Sequence, residues 1–547
     1  LIVPGRHRAP LDPVTEPDQQ VLEVDAGRQK LDDDLPEFSQ ALVQLLWPHY
    51  LRSTPAITIM QATPAEQASA GARELAAGIC IDSLPVDGCR CRFTTGDRCQ
   101  VLPLRVTDAT LQRDRRVTLR LRLAMTAAGS LGELGCDRLR FYLDGESAIS
   151  RGWYMVLCQS LRQVRVRVGD ETVPRSTPLT VGPVGWTAEE RLLAEPGTPG
   201  DGLTCLWEWF ACPERFLFVD VSGFGCLADG GEATHCELIF ECDEIPDDLS
   251  VLPASGWCLN CVPAVNCFER DGEPIRVDAR RHEYRIRPAD DPAGHFQVHR
   301  LQRLVGMERG ANQAVDLVPL AHVAPYARSD DRAYYEVVQR PALVGDGHDA
   351  YVRLVSGGPH YETLSVDLVV SNGTLASGIG IGDIATATAN CPAHVAWRNR
   401  IRPSGSVPPP MGEDMLWRLL GHSALDVRSL AEVDALRSLI ELYDFRARVD
   451  RGAQMSLRLL LDGLRQVQLR PATRLQGGVP VRGVTIEVVV DEQAFPSLGS
   501  LFLFGCALDG VFAEAVSLNA FSQLVLCGLR QGRRWSFPLR IGRRHLL

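Results

Sequence analysis

The stretch that most limits the possible folds of this chain is KLDDDLPEFSQALVQLLWPHYL, residues 30–51. Asp34 can serve as an N-cap with Glu37 three positions later, and Pro36 lies in the first turn, where its missing N–H costs nothing. Pro48 disfavours helical geometry at the residue before it and so ends the predicted helix. Apolar side chains recur at helical spacing and form one stripe along the predicted helix. Other apolar side chains lie outside this stripe, so most of the helix surface is apolar. Such a helix needs neighbours on several sides.

The predicted interface of this helix consists of its apolar side chains and the aromatic residues near its end, namely Leu35, Phe38, Leu42, Leu45, Leu46, Trp47 and Tyr50. Tertiary packing, rather than intrinsic propensity, supplies most of the stability of helices in proteins. We therefore expect residues 31–51 to join a helical bundle with partner subunits.

The charge of the chain limits its partners. At 547 residues the chain is long enough for about three or four domains, and its formal net charge is -11 with a pI near 5.6. This charge argues against nucleic acid and anionic membranes as partners, because both require a basic surface that releases counterions. The densest basic run, residues 113–122, is interpreted as a solvated strand face or as half of a protein contact.

The cysteines indicate a reducing compartment. There are 17 of them, an odd number at irregular spacing, which is typical of free buried thiols rather than of a disulfide framework. No secretory signal opens the sequence, and apolar runs such as residues 501–508 are shorter than the roughly 20 residues that cross a bilayer. We expect a cytoplasmic protein without membrane insertion. Because Leu1 is not methionine, we also expect the natural N-terminus to be missing.

Strand patterns dominate the middle of the chain. In residues 117–123, apolar side chains alternate with threonine and arginine, which is typical of a half-buried strand with its arginines in water. Residues 57–61, 139–144 and 164–168 have a similar character, and residues 88–106 have the turn-punctuated pattern of a hairpin.

The predicted fold class is α+β with several domains. Residues 1–55 form an N-terminal helical assembly segment, residues 56–200 and 201–400 form two β-rich, sandwich-like domains, and residues 413–547 form an α+β C-terminal domain. The proline-rich stretch 401–412 is a stiff, extended linker before the last domain.

One cysteine pair has the residue content of a zinc site. Cys258 and Cys261 form a CxxC, and Cys267 and His282 follow at short sequence distance. A second close pair of ligands is missing from this region. Packing of buried thiols is therefore favoured over metal binding.

Other catalytic motifs are weak. The glycines of SGIGIGD imitate a nucleotide-binding loop, but Asp383 interrupts the fingerprint and a flexible loop is the better interpretation. His422 and Ser423 are adjacent on a predicted helix, so their side chains point about 100° apart and cannot pair as base and nucleophile. We predict no catalytic residues, no cofactor, no metal and no enzyme activity.

Two function classes stay open as alternatives to a structural role. A β-rich carbohydrate- or protein-binding module would present an exposed aromatic platform, for which Trp207, Trp209 and Phe210 are the candidates. An enzyme would need a deep cleft in which titratable side chains converge.

Several blocks of the sequence resemble one known family in the same order. KLDDDLPEF followed by WPHYLRSTPA opens the resemblance, and the aromatic block LTCLWEWFACPERFLFVD and the block LNCVPAVNCFERDGEPIRVD continue it. Near the end, MLWRLLGHSALDVRSL, GSLFLFGCALDG and WSFPLRIGRRHLL complete it. These blocks resemble the TssF (ImpG/VasA) family, a baseplate subunit of bacterial type VI secretion systems.

The resemblance implies a structural subunit that assembles, as two copies with one TssG, into a baseplate wedge. Such wedges would join TssE and the TssK adaptors around the central spike, with the spike or tube hub as a further contact. The implied location is the cytoplasmic face of the inner membrane, reached through the baseplate. The implied task is to support contractile sheath assembly and effector delivery.

Overall fold

The computed structural model describes residues 40, 42–44, 48–64, 71–175, 179–194, 201–229, 231–278, 280–291, 294–308, 314–320, 333–342, 348–355, 361–410, 427–476 and 479–542. The N-terminal helix start around Asp34 lies outside these residues, as do His422 and Ser423.

The described chain is a strand-rich α+β fold of several units, so the predicted fold class is confirmed. The α-helices with defined ends are α1 Ser147–Gln159, α2 Asp201–Ala211, α3 Val433–Tyr443, α4 Arg451–Gly463 and α5 Leu498–Ala515. The strands up to residue 242 are β1 Ile57–Pro64, β2 Arg73–Leu75, β3 Cys80–Val86, β4 Cys89–Thr95, β5 Cys99–Val101, β6 Leu104–Arg113, β7 Val117–Met125, β8 Arg138–Leu143, β9 Leu161–Val168, β10 Thr180–Pro183, β11 Phe218–Ser222 and β12 His235–Cys242.

The later strands continue in the same numbering. They are β13 Trp257–Cys258, β14 Cys261–Val265, β15 Phe268–Asp271, β16 Ile275–Arg276, β17 Glu283–Arg285, β18 Gln297–Glu308, β19 Ala314–Asp316, β20 Val318–Pro319, β21 Tyr334–Pro341, β22 His348–Val355, β23 Tyr361–Ser371, β24 Ile384–Ala387, β25 Val395–Asn399, β26 Leu464–Gln476, β27 Val479–Val490, β28 Phe521–Gly528, β29 Arg534–Ser536 and β30 Arg540–Ile541.

The strands predicted at residues 57–61, 117–123, 139–144 and 164–168 are confirmed as β1, β7, β8 and β9. The hairpin predicted within residues 88–106 is wrong in its pairing. β4 pairs with β3 and β14, whereas β5 pairs with β2. The reason is the turn at Asp87 and Gly88, whose φ angles of 50° and 79° suit a tight hairpin between β3 and β4.

A six-stranded sheet joins distant parts of the chain in the order β24-β3-β4-β14-β1-β25. β1 lies between β14 and β25, with Ile57 opposite Val265 and Ala62 opposite Trp397. The domain boundaries drawn from the sequence remain a prediction. The predicted boundary between residues 200 and 201 falls within this sheet, because three of its strands precede that boundary and three follow it.

The proline-rich stretch is packed along the chain over its described part. Ser404 N donates to Ile57 O at 2.8 Å, and the Ser404 hydroxyl accepts from Ile57 N at 3.0 Å. Val407 pairs with Thr54 and is 4% exposed. Ser404 and Val407 therefore attach this stretch to the start of β1 and to Thr54 just before it, so this part of the predicted linker is fixed to the fold.

A sandwich of two sheets forms a unit with its own apolar core. One sheet has the order β15-β23-β18-β19 with β16 beside β23, and the other has the order β17-β22-β21-β20. Leu304, Val352, Leu364 and Leu368 are fully buried between them. This unit confirms the sandwich-like character predicted for the middle of the chain.

The central helix of the larger core is α5. Leu501, Phe504, Leu508 and Phe512 are fully buried, and the same apolar core extends to both ends of the described chain. Of the described helices, α5 is the one long and apolar enough to cross a membrane by length and composition, and 72% of it is buried inside the protein. It is longer than the apolar runs noted in the sequence, and its burial on several sides is that of a core helix.

Glycines let α5 approach two other helices at backbone distance. A Cβ atom added at Gly202 in α2 would lie 2.3 Å from the carbonyl oxygen of Gly510 in α5. A Cβ at Gly499, at the other end of α5, would lie 2.3 Å from the carbonyl carbon of Arg151 in α1. Neither neighbour is a side chain that could rotate away, so both contacts require glycine.

We predict that Gly202→Ala destabilises the protein by about 1–3 kcal/mol, because the added methyl group forces α2 and α5 apart. Thermal and urea unfolding of the purified chain measure the effect. Gly182→Ala is the matched control, since a Cβ there would meet no atom within 4 Å. Equal stability of the two variants would contradict the proposed helix contact.

Glu283 links three strands of the sandwich by accepting hydrogen bonds from Arg340 and Arg353. The hydrogen bond from Arg340 is the main cause that lowers the pKa of Glu283 to about 2, and Arg353 adds to it. Since the pKa is lower in the folded state, this stabilisation is present above the ordinary glutamate pKa and is lost as the pH falls toward 2.

We therefore expect the sandwich to lose about 1 kcal/mol between pH 5 and pH 3, a value reduced for screening because the carboxylate is partly exposed. Glu283→Gln should remove this part of the acid dependence. Glu273→Gln, at an exposed carboxylate of the same unit, is the control. Urea unfolding at both pH values gives the comparison, and an unchanged acid dependence in Glu283→Gln would refute the assignment.

Candidate interaction surfaces

The N-terminal segment is helical where it is described, at residues 40 and 42–44. Leu42 is half-buried and Val43 is fully buried within the chain itself. The side chains of the other predicted interface residues, Leu35, Phe38, Leu45, Leu46 and Trp47, lie outside the described residues. Their place at a partner interface stays a prediction.

Tyr50 is fully buried in its own chain. Its hydroxyl donates to the Leu442 carbonyl at 3.1 Å, and its ring meets those of Phe445 and Tyr443 edge-on at centroid distances of 5.0 and 6.1 Å. Burial raises the pKa of Tyr443 well above its ordinary value. Tyr50 therefore fastens the end of the N-terminal segment to α3.

Gln40 contacts the open edge of the sandwich. Its side-chain amide donates to the Gln339 carbonyl, and its side-chain oxygen accepts from the Gln339 N–H, both at 3.3 Å. These two bonds satisfy the backbone of β21 where no strand lies beside it in the described chain. The N-terminal segment thus touches both the sandwich and, through Tyr50, the helical core.

A buried ion pair holds the segment that precedes α2 in place. Glu208 and Arg215 are 0% and 1% exposed, and Arg215 Nε donates to Glu208 Oε2 at 2.7 Å. Glu208 also accepts from Leu193 N at 2.7 Å, and Arg215 donates to the Glu190 carbonyl at 2.9 Å. Both charged side chains are buried and have partners within the fold, which is the arrangement of a structural network rather than of a reactive site.

The aromatic platform expected of a carbohydrate-binding module is not formed by the three candidates. Trp207, Trp209 and Phe210 are 2%, 8% and 3% exposed. Trp207 donates to the Thr54 hydroxyl at 2.8 Å, and Trp209 packs against Phe504 of α5. The exposure that the carbohydrate-binding alternative requires is not found at these residues, because α2 packs against α5 and Trp207 also packs against Phe445, so these aromatic side chains belong to the core.

The CxxC pair is buried and bound to the backbone. Cys258 donates to the Ser255 carbonyl at 3.2 Å and Cys261 to the Leu259 carbonyl at 3.5 Å. His282 is exposed, and Cys267 is half-buried with a pKa raised by burial to about 12. Within the described ranges, no group of three or more His, Cys, Asp or Glu side chains could hold a metal ion.

The glycine-rich stretch is clamped by hydrogen bonds rather than free. Gly380 N donates to Asp383 Oδ2 at 2.8 Å, and the Asn399 side chain donates to the Gly380 carbonyl at 2.9 Å. Gly382 N in turn donates to the Asn399 carbonyl at 3.1 Å. The stretch is a loop, as predicted, and these bonds attach its turn to β25 and leave Ile381 64% exposed.

The basic run at residues 113–122 lies on an open face of the sheet β6-β7-β12-β9. Arg120 and Arg167 both reach Glu237, at 3.3 and 3.1 Å. Hydrogen bonds from Gln163 and then Arg165 lower the pKa of Glu241 on the same strand. The arginines thus balance two glutamates on a solvated strand face, as the first of the two sequence interpretations has it.

Cavities of the described chain are open and mixed in charge. One of about 700 Å³ is lined by Arg285, Asp290, Asp291, His348 and Asp349 among others. Arg285 already pairs with Asp349 at 2.7 Å, and Asp291 accepts from two backbone N–H groups. No nucleophile lies beside a base among its described lining residues, so the cavity lacks the geometry of covalent catalysis.

One surface was missed by the sequence analysis. The sheet β26-β27-β28-β29 carries exposed arginines, including Arg470 at 64% and Arg534 at 59%. The signal was present in the sequence, because residues 463–486 contain four arginines and no aspartate or glutamate.

Comparison with known proteins gives one consistent result. A family model described as "Type VI secretion system, TssF" matches residues 27–544. The chain is 28% identical over 563 aligned residues to type VI secretion system component TssF1 of Pseudomonas aeruginosa, which covers 92% of this chain and 87% of that relative.

Solved structures match over nearly the whole chain. A chain of the type VI secretion system TssK-TssF-TssG baseplate subcomplex, solved by cryo-electron microscopy, superimposes with a TM-score of 0.79 at 25% identity, covering 96% of this chain and 99% of that one. A chain of the baseplate complex from the type VI secretion system has the same fold, with a TM-score of 0.64 at 22% identity and coverage of 98% and 93%.

The placement of Tyr50 yields a test. We predict that Tyr50→Ala lowers the free energy of unfolding by about 3–5 kcal/mol, because it leaves a cavity between the N-terminal segment and α3. Tyr50→Phe keeps the ring and loses one hydrogen bond, so it should cost about 1 kcal/mol. Urea unfolding of the isolated chain distinguishes them. A Tyr50→Ala variant as stable as the parent would contradict an intramolecular role.

Proposed function

The chain belongs to the TssF family of the type VI secretion system and is a TssF baseplate subunit, and from this premise we propose that it acts as a non-catalytic scaffold within a baseplate wedge. The observation that carries the proposal is the superposition of nearly the whole chain on a component of a TssK-TssF-TssG subcomplex. A match over the full length, rather than over one unit, supports use of the whole surface in assembly.

We propose TssG and TssK as direct partners, by analogy with the composition of that subcomplex. We further propose that two copies of this chain share one TssG, and that TssE and the spike or tube hub contact the same wedge. In this arrangement the protein works in the cytoplasm at the inner face of the membrane, to which the baseplate holds it, and supports sheath assembly and effector delivery.

The N-terminal segment is the proposed contact with TssG. Its predicted helix is apolar over most of its surface, and Leu42 stays half-exposed in the isolated chain while Val43 and Tyr50 are used internally. Side chains of this kind form the desolvated centre of an interface when a partner covers them. We propose that Leu35, Phe38, Leu42, Leu45, Leu46 and Trp47 take this role.

The absence of enzyme activity is part of the proposal. It is supported by the buried and fully bonded state of the Glu208–Arg215 pair and by the CxxC thiols that donate to backbone carbonyls. A scaffold needs large complementary surfaces, and stable interfaces bury roughly 1,200–2,000 Å² in total.

Co-expression with TssG tests the proposal. We expect Leu42→Asp combined with Leu46→Asp to abolish co-purification with tagged TssG, because two carboxylates would be desolvated at the interface without partners. Mass measurement of the purified complex also gives the ratio of this chain to TssG, expected as two to one.

The control variant is Val173→Asp, which changes a residue that is 72% exposed on another surface and should leave the complex intact. Circular dichroism of both variants shows whether the fold is kept. Retention of TssG by the folded Leu42→Asp, Leu46→Asp variant would remove the N-terminal segment from the interface. Failure of the parent chain to bind TssG would refute the wider proposal.

A further inference from the structure

The CxxC stretch connects two sheets of the described chain. Cys258 is the last residue of β13, in the sheet β10-β11-β8-β13, and Cys261 is the first residue of β14, in the six-stranded sheet. Asn260 between them has a φ angle of 61°, in the left-handed region that asparagine adopts more readily than most other residues. The two thiols therefore lie at the two ends of one short connection.

Asn260 fixes the backbone of this connection. Its side chain donates to the Leu102 carbonyl at 2.9 Å and accepts from Leu102 N at 2.8 Å. Its own carbonyl accepts from Ala62 N at 2.8 Å. Because the residue between the two cysteines is bonded on both sides, the positions of Cys258 and Cys261 relative to each other are fixed as well.

A guanidinium group lies beside the first thiol of the pair. Cys258 Sγ donates to the Ser255 carbonyl at 3.2 Å, and Arg400 Nη2 donates to the same carbonyl at 3.4 Å. Arg400 Nε also donates to Asp144 Oδ2 at 2.8 Å. The side chain of Arg400 is 20% exposed, so the buried thiol of Cys258 lies just below the protein surface. A cation at this position favours the thiolate form of Cys258.

The two thiols of the pair differ in acidity. A hydrogen bond with Cys261 lowers the pKa of Cys258 below its ordinary value and Arg400 lowers it further, whereas burial and Asp144 oppose this change. Burial raises the pKa of Cys261 well above its ordinary value. Of the described cysteines whose pKa departs clearly from the ordinary value, Cys258 is the one whose pKa is lowered. Since the thiolate is the reactive form of cysteine, Cys258 has the character of a nucleophile and Cys261 that of its protonated neighbour.

We propose that Cys258 and Cys261 form a reversible modification site that a hydroperoxide oxidises to a disulfide. The Cys258 thiolate attacks one oxygen of hydrogen peroxide, the O–O bond breaks, and the released hydroxide becomes water with the proton that the thiol had lost. The sulfur of Cys261 then attacks the sulfur of the resulting Cys258 sulfenic acid. The S–O bond breaks, and the leaving hydroxide takes the proton of Cys261. Two thiols and one peroxide thus give one disulfide and two water molecules.

Burial and the second thiol determine how this site reacts. Both cysteines are 5% exposed, which favours an oxidant close to water in size over a bulky disulfide such as oxidised glutathione. A thiol beside the sulfenic acid closes the disulfide before the irreversible sulfinic acid forms. The disulfide would cross-link the connection between the two sheets.

This inference goes beyond the proposed function, because it concerns a reaction of the chain itself and involves none of the residues assigned to TssG. Its experiment uses the isolated full chain. Failure to bind TssG would leave it standing, and its own failure would leave the assembly proposal standing.

Peroxide treatment of the full chain tests the inference. The reduced protein is treated with hydrogen peroxide, its remaining thiols are blocked with N-ethylmaleimide, and its disulfides are located by tandem mass spectrometry. We expect a disulfide between Cys258 and Cys261, recognised by the loss of two hydrogen atoms and reversed by dithiothreitol. Cys99 also lies beside this connection, with its thiol 3.6 Å from the Asn260 carbonyl. A disulfide of Cys261 with Cys99 instead of Cys258 would overturn the assignment.

Serine variants separate the roles of the two thiols. In Cys261→Ser, we expect Cys258 to accumulate as a sulfenic acid that dimedone labels, because the thiol that closes the disulfide is gone. In Cys258→Ser, dimedone labelling of Cys261 should be at least about tenfold slower, because its thiol stays protonated. Equal labelling of Cys258 and Cys261 in the two variants would overturn the proposed roles. Thermal unfolding verifies that both variants are folded, and the disulfide mapping in the parent chain requires no variant.

Cys80→Ser is the matched control. Cys80 is a half-buried thiol outside the connection, so its loss should leave the rate of disulfide formation unchanged. A slower rate in this control would overturn the assignment to Cys258 and Cys261. So would a parent chain that forms no disulfide at a peroxide concentration that already oxidises Cys80.

Discussion

The backbone contacts of α5 with α1 and α2 are the constraint on which the rest of the structure depends. Gly202 meets Gly510, and Gly499 meets Arg151, at distances that exclude any side chain. Helices this close exclude water and interlock their neighbouring side chains, such as Trp209 and Phe504. Because α5 lies near the C-terminus and its two partners in the first half of the chain, the core can form only when distant segments meet.

The same topology explains why a charged pair is buried beside the core. The loop before α2 must pass beside the core, and the buried Glu208–Arg215 pair satisfies its backbone there. Breaking such a pair would leave an uncompensated charge in the interior, so the network specifies one position of the loop. The sandwich, in contrast, has its own core and is linked to the helical part by exposed or half-buried bonds such as those of Gln40.

Local sequence patterns predicted the individual strands of this fold better than they predicted which strands pair with each other. The alternation in residues 117–123 predicted β7, because a two-residue period is a property of one strand. The partners of β4 and β5 could not be predicted in this way, since the turn at Asp87 and Gly88 decides them. Trp207 and Trp209 were candidates for an exposed aromatic platform because composition cannot distinguish a core aromatic residue from a surface one. The position of α5 shows that they belong to the core. The family and its baseplate role were predicted because the order of several blocks is more specific than any single motif.

Charge placement limits how a subunit with this core can meet its neighbours. A rigid interior offers no adaptable surface, so specificity must come from side chains that stay exposed after folding. In the C-terminal sheet, the buried carboxylates pair with Arg470, Arg534, Arg530 and Arg465, whose side chains remain more than half exposed to water. A partner held by exposed arginines would dissociate as salt rises, whereas a partner held by apolar side chains would not, so the salt dependence of binding indicates which kind of side chain holds the partner.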